Sequence, residues 1–112
     1  MTFAKKTERD IIDEAAEHFF MKWSFSEHQL FDAYLEAGSY VDAALMFVSE
    51  NYAIERISKW PDSEATCHLY GTHEHNGGRW HQAKDGRWEG KGETIALAIT
   101  NACLLAIGAI TE

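Results

Sequence analysis

Apolar residues recur at three- and four-residue steps through the first half of the chain and at alternate positions through the middle. The sequence therefore divides into a helical part, a stranded part and a closing helix. In TERDIIDEAAEHFFMKW, Ile11, Ala15 and Phe19 run beside Ile12, Ala16 and Phe20 with acids on the opposite side, which predicts an amphipathic helix capped near Thr7. SFSEHQLFDAYLEAG offers Ser26 as a cap, a stripe of Leu30, Phe31, Tyr34 and Leu35, and Gly38 where a left-handed C-terminal residue belongs. SYVDAALMFVSEN, with Ser39 as cap, Val41, Ala44, Leu45 and Val48 on one face and Asn51 at its end, predicts a third helix of about three turns.

After Asn51 the period changes. YAIERISKW (52–60) is rich in β-branched and aromatic residues and stops at Pro61-Asp62, a turn signal, and ATCHLYGTHEH (65–75) alternates as a second strand. NGG at 76–78 and DG at 85–86 are hairpin signals, because Asn, Asp and Gly tolerate the positive torsions that tight turns need. A meander of about three strands follows, with RWHQAK and RWEG as its later segments. The closing helix is expected from near Glu93 to about Ile110.

In that helix Ile95, Ala98, Ile99, Ala102, Leu105, Ala106 and Ile110 fill one side and Leu97, Leu104 and Ala109 the other. A helix apolar nearly all round needs cover on two sides. Either the N-terminal helices supply the outer cover or a second copy does, in a homodimer. The stretch is too short for a membrane span and carries Thr100 and Asn101 at its middle, so it reads as a buried helix and no membrane partner is expected.

The chain has 112 residues, one domain's worth, and its fold class reads as α+β: a short antiparallel meander packed with helices, with residues 1–37 as a helical extension. Ten Lys and Arg face 18 Asp and Glu, a net charge of −8, which repels a nucleic-acid backbone and leaves open a basic protein partner. MTFAKKTERD has no apolar segment of a secretory leader, so a cytoplasmic location is expected. Cys67 and Cys103 form no CxxC and read as reduced core thiols. Trp23 and Trp60 sit at element ends and read as core closures, and Trp88 as packed rather than presented.

GSYVDAALMFVSEN, NGGRW and ETIALAITNACLLAI together give residues 38–110 an order of elements that resembles the phage ABA-sandwich domain of small tailed-phage and prophage proteins. The resemblance implies an α+β fold and a phage origin, and with it a host cytoplasm. It implies no active-site residues, since that family carries no agreed catalytic motif.

Chemistry concentrates in GTHEHNGGRWHQAKDGRWEG (71–90). A three-residue NGG loop sets His75 opposite Arg79 and His73 opposite His81, gathering three histidines on one face; a two-residue NG turn pairs His73 with Trp80 and scatters them. The first register admits a metal-dependent hydrolase as a minor reading, although neither a metal nor another cofactor is expected. Tyr70, His73, His75, Arg79, Trp80, His81 and Arg87 together offer planar rings and cations for a binding surface. Glu8, Asp13 and Glu17 mark an acidic helical face suited to a basic partner. The chain has no glycine-rich phosphate loop, no GxSxG and no HExxH, so the expected function is non-enzymatic. It is that of a phage-encoded accessory protein that binds and inhibits a host protein, of the anti-defence, anti-CRISPR type. The alternative is a binder or sponge for a nucleotide signal.

Overall fold

The computed structural model describes residues 6–48, 52–73 and 81–111; for 72, 73 and 81–85 it describes the backbone alone. Among the described residues four helices and one sheet make an α+β fold. The helices are α1 (Glu8–Ala16), α2 (Phe25–Ala37), α3 (Tyr40–Leu45) and α4 (Ile95–Ala106), with a 3-10 turn at Phe20–Lys22. The strands β1 (Tyr52–Lys59), β2 (Ala65–His73) and β3 (His81–Gly92) form an antiparallel sheet in the order β1-β2-β3.

Capping boxes start the first two helices. The Asp10 amide donates to Thr7 Oγ1 at 3.1 Å and the Thr7 amide to Asp10 Oδ2 at 3.3 Å. In α2 the cap is Ser24 rather than Ser26: the Glu27 amide donates to Ser24 Oγ and the Ser24 amide to Glu27 Oε1, both at 3.2 Å. Both serines have an acid or amide three residues on, but Glu27 also carries a negative charge at the positive end of the helix dipole, which Gln29 lacks. Gly38, with φ 74°, ends α2 as the sequence predicts, and Ser39 N donates to Tyr34 O at 2.8 Å.

Three helices are shorter than their patterns: α1 stops at Ala16, with Phe19 and Phe20 beyond it and a 3-10 turn at Phe20–Lys22. α3 stops at Leu45, and Phe47 N and Val48 N donate three residues back, to Ala44 O and Leu45 O. That tightened turn carries Phe47 into a cluster of rings; Asn51 lies outside the described residues. α4 ends at Ala106, not near Ile110, because Gly108 turns left-handed (φ 77°) and Ala109 N closes back on Leu104 O at 2.9 Å.

The Asp85-Gly86 pair makes no hairpin. Pairing runs Tyr70↔Arg87 and then Thr72↔Gln82, so residues 83–86 bulge opposite Gly71 and β3 continues as one strand of 12 residues. Continuity lets 87–92 pair with β2 and brings Gly90 and Gly92 under α4. A second irregularity, between Ile54 and Arg56 on β1, leaves Glu55 as the extra residue. His73 pairs with His81 rather than with Trp80; residues 74–80, with the NGG signal, lie outside the described ones.

α4 is the middle layer. Its inner side packs on β3 and β2, its outer side on α3 and α1, and eight of its 12 residues are buried, so the cover over this apolar helix comes from within the chain. The core joins Ile12, Ala15 and Ala16 of α1, Phe31 and Leu35 of α2, Phe47, and Ala65, Cys67 and Leu69 of β2 to α4. Trp23 is half-buried against Phe31 and Phe47, and Trp88 is half-buried beside Tyr52, their ring centroids 5.5 Å apart. Trp60 is not a core closure: it is 71% exposed, because the chain leaves the sheet at Lys59 and turns through Asp62 (φ 61°). No helix among the described residues is long and apolar enough to cross a membrane.

Candidate binding surfaces

Alternation along β2 decides which side chains are available. Ala65, Cys67 and Leu69 are buried toward α4, so Thr66, His68 and Tyr70 take the opposite face of the sheet. Pairing carries that face across all three strands in rows: Ser58, Thr66 and Lys91; Arg56, His68 and Glu89; Ala53, Tyr70 and Arg87. Arg56, Arg87, Glu89 and Lys91 are exposed, and His68 and Tyr70 half-buried. Arg56 Nη2 lies 3.4 Å from His68 Nε2. A guanidinium only donates, so the imidazole nitrogen accepts in this contact.

Two of the residues singled out in the sequence, Tyr70 and Arg87, thus stand directly opposite each other on this face. His73 and His81 are paired by backbone register, whereas His75, Arg79 and Trp80 lie outside the described residues. Arg56, His68, Glu55 and Glu89 were not singled out. The signal for them is the pairing of β1 with β2 and β3, which alternation within one strand does not carry. Among the described residues no group of three or more His, Cys, Asp or Glu is placed to hold a metal ion.

The acidic face also changes membership. Glu8 is half-buried and accepts a hydrogen bond from Thr94 Oγ1 at 2.5 Å, tying the start of α1 to the cap of α4. Asp10, Asp13, Glu14 and Glu17 are exposed at helical spacing on one side of α1, with Lys6 Nζ 2.6 Å from Glu14 Oε2. Residues 8–45 hold nine acids and two bases, while the three strands hold five bases and three acids, so charge separates between the helical layer and the sheet. Beyond Glu17 the chain presents Met21, 97% exposed, and Phe25, 77% exposed, between α1 and the body of α2.

Cys67 and Cys103 are buried thiols without a disulfide. Burial pushes Cys67 up from 9.0 to about 11; burial, and secondarily the neighbouring Cys67, push Cys103 up to about 12. Neither is a thiolate at neutral pH, which removes both as nucleophiles. Below pH 9 folded and unfolded chains both keep these protons and the thiols leave stability unchanged. Between pH 9 and about 11 to 12 the unfolded chain releases protons that the fold retains, so stability falls as pH rises. Urea midpoints at pH 8 and pH 10.5 should show this fall, and a Cys67→Ala, Cys103→Ala double variant should flatten it. An equal fall in the double variant would assign the alkaline loss to other groups.

Comparison with protein-family models, with curated proteins and with solved structures gives no match to this chain.

Proposed function

We propose that the protein is a non-enzymatic binding module that docks on a basic protein surface through α1, the 3-10 turn and the start of α2, and inhibits the protein it covers. The observation that carries this reading is the pair Met21 and Phe25, exposed by 97% and 77% beside the acids of α1 and α2. Large apolar side chains held in water cost free energy in the unbound chain and recover it on burial. Apolar anchors inside a charged rim are how binding hot spots are built, the anchors supplying affinity and the charges orientation and rate. Glu17 precedes Met21 and Glu27 follows Phe25, so acids flank the anchors on both sides, with the exposed Lys22 between them. The likeness of residues 38–110 to a phage domain supplies the setting, in which the covered protein belongs to the host.

The test is affinity capture from host lysate by the full chain, followed by assay of the captured protein's activity with purified chain added. A basic protein should be retained and inhibited, with binding that weakens as salt rises. Met21→Ser with Phe25→Ser should weaken it by roughly 2 kcal/mol or more. Asp13→Lys and Glu17→Lys together should weaken it severalfold at low salt, mostly through the association rate. All four residues are exposed and none belongs to a capping box, so circular dichroism and melting should stay near wild type. Capture that is indifferent to both sets of substitutions would overturn this reading.

A further inference from the structure

On the opposite side of the molecule, the uncovered face of the sheet forms a depression of about 460 Å³ lined by Glu55, Arg56, His68 and Arg87. Three strands each bring one donor-bearing group to it: Arg56 from β1, His68 from β2 and Arg87 from β3. We propose that this cluster binds a phosphate-bearing small molecule. It is independent of the docking surface on α1 and α2.

Two guanidinium groups from the outer strands, with an imidazole between them that donates in the tautomer carrying its proton on Nε2, suit a terminal phosphate, whose three oxygens each take a donor, better than a carboxylate with two. The Arg56–His68 contact is long, at 3.4 Å, so exchanging it for a charge-assisted bond to a phosphate oxygen forfeits little. The four lining residues carry one net positive charge in a chain whose net charge is −8, and Glu89 stands beside His68 in the same row. Tyr70, opposite Arg87 and half-buried on the same face, gives a ring on which a planar group attached to the phosphate can stack. Glu55 also lines the depression and opposes the anion, which keeps affinity moderate and discriminates against ligands with dense negative charge.

The experiment is a heteronuclear NMR titration of the full chain at constant ionic strength, with inorganic phosphate, AMP and acetate as separate probes. Phosphate and AMP should shift the signals of Arg56, His68 and Arg87 saturably, and acetate should act about tenfold more weakly or worse. Equal affinity for phosphate and AMP would make the phosphate group alone the recognised element. Tighter AMP binding that Tyr70→Ala reduces to the phosphate value would make a nucleotide the source. Arg56→Gln and Arg87→Gln should each weaken binding about tenfold, and Glu55→Gln should strengthen it severalfold. Both arginines are exposed, so the variants keep the fold and their spectra report on the site. A phosphate response no stronger than that of acetate, or one that survives Arg87→Gln, would overturn the proposal.

Discussion

Replacing Gly90 by alanine is expected to lower the unfolding free energy by about 3 kcal/mol, with a drop in melting temperature of roughly 12 °C for a domain of this size. A Cβ at this position would stand 2.2 Å from Ala102 N and 2.4 Å from Ala98 O. Both are backbone atoms in the middle of α4, so no side-chain rotation relieves the contact; the helix must lift from the sheet. Lifting it separates Ala98 and Ala102 from Cys67, the residue paired with Gly90, at the centre of the core. Gly38 provides the contrast. A Cβ there meets nothing within 4 Å, and the cost of Gly38→Ala is the left-handed backbone alone (φ 74°), about 1 kcal/mol. Urea titration of the two variants separates the mechanisms: equal midpoints would mean that α4 does not rest on the glycines of β3 as closely as the geometry requires.

Gly90 also shows where a reading of the sequence stops. Its neighbourhood reads as RWEG, the end of a minor strand after a DG turn, because local torsional preference is visible in one segment and close approach between two segments is not. The helices before the sheet were legible where one chain segment carries the whole signal: the Thr7 cap, the Gly38 terminus, and the stripes of Ile12, Ala16, Phe31 and Leu35. Where two serines stand close together the choice can fail: the pattern points to Ser26, and the cap is Ser24, where the electrostatics of the helix terminus favours Glu27. The binding surfaces follow the same division. Tyr70 and Arg87 were legible as residue types within an aromatic and basic stretch. Arg56 and His68 enter only through cross-strand register, being 12 residues apart and brought together by the antiparallel return of the chain. Met21 and Phe25 were hidden for the opposite reason. Met21 belongs to a pattern that reads as a continuing helix face, whereas α1 ends at Ala16 and the chain turns outward through Phe20–Lys22.

The surface formed by that outward turn depends on Phe47, and Phe47→Ala is expected to cost about 4 kcal/mol. The ring is 2% exposed. It stacks on Phe19 at a centroid distance of 4.6 Å and 17°, lies nearly parallel to Trp23 at 6.0 Å and 3°, and meets Phe31 at 5.7 Å. These three partners belong to the segment after α1, the lead into α2 and the buried face of α2, so one ring from the turn after α3 braces the whole proposed docking region. Truncation leaves a cavity among aromatic rings that cannot collapse without moving α2, whose other buried residue is Leu35. Phe47→Leu, which keeps most of the volume, should cost only about 1.5 kcal/mol. Because the sheet and α4 retain their own contacts, hydrogen exchange in Phe47→Ala should accelerate in α1 and α2 well before β2 and α4. Partner capture should then fall although Met21 and Phe25 are unchanged, and saturating partner should restore part of the lost protection, since a ligand that binds only the ordered state stabilises it. Uniform acceleration across helices and sheet would instead make the aromatic cluster part of one cooperative core, and the docking surface would share the stability of the sheet it faces away from.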